Sequence, residues 1–252
     1  MKRLIIILMM LIFLVAGCNK EDAWDFVKTR GEYAVEERDI SAFHAITVKN
    51  GVNVTLIHGD NYAATVEGWK NLMPKIRFIE QNGELIIEDV NKYNFMRSRN
   101  NMSTVHLTIP VNELGGINFL GNGDIITKDT LVTSGLSIIS FGSGNIDMTV
   151  KTQGIYIGTN HENIALITIR GESYDVGITN WGFSPVDLSN LKTSYVNVAQ
   201  RGIGSVYVNV SEYINVIFYS GIGNVYYTGN PSSINFAHEE KGKGNLYKID
   251  NP

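Results

Sequence analysis

The stretch that decides the fold is SFGSGNIDMTV, residues 140–150, which recurs nearly unchanged as YSGIGNVYYTG, residues 219–229. In both copies two glycines flank one residue, a polar residue follows, and an aliphatic residue then opens an alternating run. The same unit occurs seven times, as GNGDI from 121, GSGNI from 142, NHENI from 160, GFSPV from 182, GIGSV from 202, GIGNV from 221 and GKGNL from 242.

These units form an internal repeat with intervals of 21, 18, 22, 20, 19 and 21 residues. Five units keep both glycines, and all seven have an aliphatic fifth residue. Because each strand residue advances about 3.3 Å, about 20 residues trace a loop of roughly 66 Å, which suits one turn of a β-solenoid. Stacked turns would pair in parallel and share one apolar interior, since no single turn can bury its own apolar face.

The composition agrees with an all-β protein. The chain has 252 residues, 44% hydrophobic and only 18% charged, and it lacks the three-four spacing of apolar residues that marks amphipathic helices. Its 25 glycines against 5 prolines indicate many tight turns. The formal net charge of -4 gives no general attraction to nucleic acid, so we expect no nucleic-acid partner.

The glycines of the repeat are expected to turn corners, through positive φ angles or through close approach of stacked turns. The polar residue at the fourth position would form a ladder along the axis, in which each hydrogen bond contributes about 1 kcal/mol. A phosphate loop would instead need a helix after the glycines. A calcium solenoid would need a carboxylate at the fourth position of most turns, where Asp124 is the one acid.

Signs of catalysis are sparse in the sequence. The histidines have no metal-ligand spacing, and there is no Gly-x-Ser-x-Gly motif. A polysaccharide-cleaving site would need acids and bases on one face, but the candidates fall in different phases of the repeat: Asp147, Glu162, Arg170, Glu172, Asp175, Asp187 and Arg201. We therefore expect no catalytic residue, no metal and no cofactor.

The N-terminus has the pattern of an export signal. Lys2 and Arg3 precede an apolar run over residues 4–16, which is shorter than the roughly 20 residues of a membrane span. The sequence VAGC, residues 15–18, resembles the lipoprotein processing box. This resemblance implies a signal peptide over 1–17, lipidation of Cys18, and a membrane partner through that anchor. The alternative is an ordinary transmembrane anchor.

The segment after Cys18 is expected to be a flexible tether over residues 18–38, followed by the solenoid domain over 39–252. The acidic sequence NKEDAWD, residues 19–25, is similar to the surface-export tag of some Gram-negative lipoproteins. The alternative is a merely solvated tether. The predicted location is therefore the outer membrane, on the surface-exposed or the periplasmic side.

One segment interrupts the strand pattern and is the predicted ligand-binding site. Residues 91–103 hold Tyr93, Phe95, Arg97 and Arg99. Aromatic and arginine side chains on a loop form a typical recognition patch. The alternative is a lid over the flank of the solenoid. A second candidate is a strip of tyrosines: Tyr156, Tyr174, Tyr195, Tyr207, Tyr213, Tyr226 and Tyr227.

The order of these features resembles a known family. FHAITVKNGVNVTLIHGDNYAATVEG (residues 43–68), then GELII (residues 83–87), then Gly-x-Gly turns before Ile or Val are similar to the head GIN domain family of auto-transporter adhesins. The resemblance covers about residues 43–247, and NHENI and GFSPV depart from its glycine pattern. It implies a right-handed parallel β-helix without established catalytic residues.

The sequence thus predicts a lipid-anchored, non-catalytic adhesin or binding module, with a glycan or a host or envelope protein as its ligand. Two alternatives remain. One is a carbohydrate-active enzyme on a β-helix scaffold, and the other is a periplasmic envelope scaffold.

Overall fold

The computed structural model describes residues 30–91, 102–239 and 241–250. This part of the chain is built from strands and one short 3-10 turn, Met73–Lys75. The strands of the N-terminal part are β1 (Tyr33–Arg38), β2 (Ala45–Asn50), β3 (Val52–His58), β4 (Ala63–Trp69), β5 (Ile76–Gln81), β6 (Glu84–Asp89) and β7 (Ser103–Ile109).

The remaining strands follow the glycine repeat. They are β8 (Gly116–Gly121), β9 (Ile125–Thr127), β10 (Leu131–Val132), β11 (Gly135–Ser140), β12 (Ile146–Thr159), β13 (Ile167–Asn180), β14 (Val186–Gln200), β15 (Val206–Phe218), β16 (Val225–Thr228), β17 (Ser233–His238) and β18 (Leu246–Lys248).

These strands form a β-solenoid of about six turns of roughly 21 residues, which confirms the predicted fold class. Strands β11 to β15 stack in parallel, and the interior is a continuous column of aliphatic side chains, here named the apolar column. One ladder of this column is Ile125, Ile146, Ile167, Val186, Val206, Val225 and Leu246. All of its members except the last, half-buried Leu246 are fully buried.

The observed strand pairing differs from the sequence repeat in one unit, NHENI. The sequence pattern takes Ile164 as the aliphatic residue of NHENI, but Ile146 pairs with Ile167, and Ile164 is exposed. The corner in this turn, residues 160–166, is two residues longer than the corners at 141–145 and 181–185, and within it Asn163 is fully buried. GFSPV, in contrast, keeps the register despite its missing glycine, since Val186 pairs with Ile167.

The N-terminal end of the solenoid is closed. The turn made by β2 and β3 lies between the turn of β6 and β7 and the turn of β8 and β9. Beyond β6 and β7, the strands β5, β4 and β1 pair antiparallel. Val66 on β4, Ile76 on β5 and Met73 between these strands are buried in the same hydrophobic cluster as the apolar column, so this segment covers its end.

Strand β1 lies within residues 18–38, where a tether was expected, so the folded domain begins earlier than predicted. Tyr33 pairs with Trp69 and Arg38 pairs with Ala64 across the β1–β4 ladder. Because β1 is an edge strand with charged side chains, its sequence YAVEER has no apolar run that would mark it. The predicted signal peptide and the tether up to residue 29 lie outside the described residues.

Candidate functional site

The turns change direction at two corners. The first, named the glycine corner, contains the Gly-x-Gly units. A Cβ on Gly144 would overlap the carbonyl oxygen of Gly123, and a Cβ on Gly204 would overlap that of Ser184. Among the glycines of these units, positive φ occurs at Gly221. Close approach of stacked turns, rather than backbone handedness, therefore explains most of the repeated glycines.

The polar ladder predicted at this corner forms in part. Asn53 Oδ1 accepts from the Asp124 amide at 2.9 Å, and Asp124 Oδ1 accepts from the Asn145 amide at 2.8 Å. Near the C-terminus, Asn224 Oδ1 accepts from the Asn245 amide at 3.0 Å. Asn163 leaves this ladder, because its side-chain Oδ1 accepts from the buried Ser140 hydroxyl at 2.6 Å.

A second polar column, which no sequence pattern marks, lies buried beneath the glycine corner. Thr159 Oγ1 donates to Asn180 Oδ1 at 2.8 Å, and Asn180 Nδ2 donates to Gln200 Oε1 at 3.0 Å. Asn180 Nδ2 and Gln200 Nε2 both reach the carbonyl of Gly204 at 2.8 Å. These side chains hold the corner to the strands below it.

The outer side of the glycine corner is apolar over several turns. The exposed side chains are Ile164, Phe183, Ile203 and Ile222. Beside them the Arg201 guanidinium lies between two rings, 4.9 Å from the centroid of Trp181 and 3.7 Å from that of Tyr219.

The second corner, named the hydroxyl corner, repeats a Thr or Ser residue. Each hydroxyl donates to the carbonyl two residues later, at distances of 3.2, 3.0, 2.8 and 3.2 Å for Thr133, Thr152, Ser173 and Thr193. This motif was missed in the sequence, although a signal for it exists. The hydroxyl residue stands three positions before the aliphatic residue that opens the next strand segment, namely Leu136, Ile155, Val176 and Val196.

A groove of about 770 Å³ follows the hydroxyl corner across several turns, and it is named the hydroxyl-corner groove. On one side Lys151, Glu172 and Lys192 stand in register on successive turns, so positive and negative charges alternate. On the other side lie Gln153, Tyr174 and Ser194. The groove combines one exposed aromatic ring with amide, hydroxyl and charged groups, and it is elongated along the solenoid axis.

The tyrosine strip divides into two ladders, one separate exposed residue and one core residue. Tyr174 and Tyr195 have ring centroids 5.1 Å apart, and Tyr195 and Tyr213 are 6.4 Å apart, beside the groove. Tyr207, Tyr226 and Tyr247 stack at 5.0 and 5.5 Å. Tyr156 is exposed and Tyr227 is buried.

The hydroxyl of Tyr195 is held as a hydrogen-bond donor. Hydrogen bonding with Tyr174, and then donation to Glu212 Oε2 at 3.1 Å, raises the pKa of Tyr195 to about 12. The neutral phenol therefore donates to Glu212 throughout the physiological pH range.

The residues predicted to bind a ligand, Tyr93, Phe95, Arg97 and Arg99, lie outside the described residues, as does Cys18. Their roles stay predictions. The structure therefore gives no positions for these four side chains. The polar and aromatic residues that it does bring together are those of the hydroxyl-corner groove.

Two of the charged residues considered for a polysaccharide-cleaving site form an ion pair on the outer sheet face. Arg170 is bonded to Asp147, and this bond, despite opposing desolvation, raises the pKa of Arg170. Within residues 30–91, 102–239 and 241–250, no cluster of three or more His, Cys, Asp or Glu residues could hold a metal ion. In the same part of the chain, no helix is long and apolar enough to span a membrane.

Comparison with known proteins gives one family and several similar structures. The family described as "Putative auto-transporter adhesin, head GIN domain" has a sequence model that matches residues 42–231. No curated protein matches the chain.

Among solved structures, a "putative adhesin" from Bacteroides fragilis is similar, with 21% identity, a TM-score of 0.77, and coverage of 86% of this chain and 97% of that one. A "putative adhesin" from Parabacteroides merdae has 16% identity, a TM-score of 0.60, and coverage of 87% and 97%. A "Putative lipid binding protein" from Parabacteroides distasonis has 17% identity, a TM-score of 0.59, and coverage of 87% and 97%. At these identities the likeness concerns the fold alone.

Proposed function

Because this chain belongs to the head GIN domain family of auto-transporter adhesins, we propose that it is a non-catalytic, lipid-anchored adhesin that binds a glycan along the hydroxyl-corner groove. The observation that carries the proposal is the composition of that groove. An exposed aromatic ring, Tyr174, faces a row of in-register charges across an elongated channel.

The groove suits a linear, hydroxyl-rich ligand. The apolar face of a sugar ring packs on an aromatic side chain, which has low conformational entropy and a polar end. Sugar hydroxyls both donate and accept, so Lys151, Glu172 and Lys192 supply complementary partners on neighbouring turns. Since turns repeat about every 4.8 Å, polar groups recur at a regular spacing along the axis, which suits a ligand that is itself a repeating chain.

The proposed anchor is the lipid on Cys18, and the proposed location is the outer membrane. The support is the charged start, the apolar run over 4–16 and the VAGC sequence. Two or more acyl chains hold a protein stably on a membrane, since each buried methylene contributes about 0.8 kcal/mol. Whether the protein faces outward is decided by protease treatment of intact cells, which removes a surface protein and spares a periplasmic one.

The glycan is tested by screening the full chain, purified in detergent, on an array of bacterial and host polysaccharides. We expect a glycan whose binding weakens by roughly tenfold or more in Tyr174→Ala and in Lys192→Ala, as loss of a central contact typically costs more than 1 kcal/mol. The matched control is Phe183→Ala, an exposed aromatic residue at the glycine corner, which should leave binding unchanged.

Three results would contradict the proposal. Absence of binding to every glycan would favour a periplasmic envelope scaffold. Loss of binding in the Phe183→Ala control, with Tyr174→Ala unaffected, would move the site to the glycine corner. Shortening of a bound glycan during incubation would make the protein a carbohydrate-active enzyme.

A further inference from the structure

The apolar column is open at its C-terminal end. Ile234 and Phe236 on β17 stand in register with Ile214 and Val216 on β15, which are fully buried. Although they occupy the same inward-facing positions, Ile234 is 44% exposed and Phe236 is 55% exposed. The exposure arises because no further turn of the described chain covers them.

The same end presents a free strand edge. In the described chain β17 pairs with β15 on one side, and β18 pairs with β16. The Glu239 amide donates to the Phe218 carbonyl at 2.9 Å, so by alternation the backbone groups of Ile234, Phe236 and His238 point away from β15. These groups are available to another strand.

This edge lacks the features that normally prevent strand pairing. Natural edge strands are protected by charged residues, proline, bulges or covering segments. The six residues of β17, SINFAH, contain no Lys, Arg, Asp, Glu or Pro, and all of them are exposed. The opposite end of the solenoid shows the contrast, because β1 there carries charged side chains and the antiparallel strands cover the column.

We propose that the open end is an interface for a second copy of this chain, with β17 pairing antiparallel to β17 of the other copy about a two-fold axis. A second copy presents an apolar column of the same cross-section. Ile234 and Phe236 of each copy would therefore cover the other column, and the sheet would continue across the interface.

One pair of opposite charges at this end fits the same arrangement. Lys248 on β18 lies beside the corner that precedes β17, where its Nζ donates to Asn230 Oδ1 at 2.8 Å. Glu239 lies at the corner that follows β17, together with the exposed Lys241 and Lys243. Antiparallel pairing places the corner before β17 in one copy opposite the corner after β17 in the other. Lys248 of each copy then faces Glu239 of its partner.

The first test is sedimentation velocity of the full chain in detergent over a range of concentrations. We expect a dimer that Phe236→Lys dissociates, with a dissociation constant raised by roughly tenfold or more, since the lysine would be buried without a partner. The control is Val35→Lys, an exposed apolar residue on β1 at the opposite end, which should leave the dimer intact.

A charge-reversal series provides a second test that does not alter the column. Glu239→Lys and Lys248→Glu should each weaken the dimer, and the double variant should restore it. Both side chains are exposed, so these variants test the interface even if Phe236→Lys unfolds.

Four results would overturn the proposal. They are a monomer throughout the concentration range, a dimer that withstands Phe236→Lys, a dimer lost in Val35→Lys, and a double reversal that does not restore the dimer.

Discussion

At Gly144 the neighbouring turn leaves no room for a side chain. A Cβ would overlap the Gly123 carbonyl, so Gly144→Ala must push two stacked turns apart, at a cost of about 1–3 kcal/mol. Gly154, on the same strand stack, has nothing within 4 Å of its Cβ position, and Gly154→Ala should change stability by less than about 0.5 kcal/mol. Urea unfolding of the two variants measures the difference, and equal midpoints would contradict it.

Two Asn-Gly pairs show how far local sequence determines local structure. Asn82 and Gly83 both have positive φ and join β5 and β6 as an antiparallel hairpin, as the pair predicts. Asn50 also has positive φ, but Asn50 and Gly51 turn a corner between β2 and β3, which then run parallel to other strands. The sequence identifies a turn in both cases, whereas the stacking of distant strands decides which kind of turn forms.

At the scale of the strands, the buried polar column makes the glycine corner depend on Asn180. Asn180→Ala leaves Gln200 Oε1 and the Thr159 hydroxyl without their partner and should cost about 1–3 kcal/mol. Asn197→Ala, at an exposed asparagine of the neighbouring strand, is the control and should cost less than about 0.5 kcal/mol. Similar unfolding midpoints for the two variants would show that the column is not structural.

The N-terminal strands should respond to acid through Glu67 on β4. Glu67 accepts from the Tyr33 hydroxyl at 3.0 Å and is bonded to His106 Nε2 at 2.8 Å; first the His106 bond and then the Tyr33 bond lower the pKa of Glu67. Because the folded state favours the ionised form, this stabilisation is present above the ordinary pKa of 4.5 and is lost as pH falls through the lowered value.

Glu67→Gln should therefore lower the melting temperature at pH 7, and the difference from the wild-type protein should shrink as the pH falls below the ordinary pKa of 4.5. Glu37→Gln on β1 is the control, with little effect at either pH. A Glu67→Gln difference that persists unchanged in acid would show that the effect comes from packing.

The repeat made the solenoid predictable from sequence, because its glycines and aliphatic residues recur at a nearly constant interval. The register of the third unit was not predictable. NHENI has Ile164 at the expected aliphatic position, but Ile167 is the residue that pairs with Ile146 of the neighbouring turn. The placement of β2 and β3 between later strands was also hidden, because those turns have no Gly-x-Gly unit. The groove was missed because its residues are polar and common on protein surfaces.

At the scale of the whole molecule, the anchor prediction concerns Cys18. Cys18→Ser should prevent lipidation and move the protein from the membrane fraction to the soluble fraction, with the solenoid still folded. Labelling of cells with a radioactive fatty acid, followed by fractionation, measures both effects. A Cys18→Ser protein that remains in the membrane would indicate an ordinary transmembrane anchor.

If the proposed lipid on Cys18 anchors the molecule, the closed end of the solenoid determines the direction in which the molecule is held. Arg30 and β1 lie at that end, where the Arg30 carbonyl accepts from the Asn71 amide at 3.2 Å, so the described domain begins there. In a pair joined at the open ends, the two Arg30 residues would therefore lie at opposite ends of the assembly. Such a pair would bridge two facing membranes, and adhesion between neighbouring cells would then require no other protein.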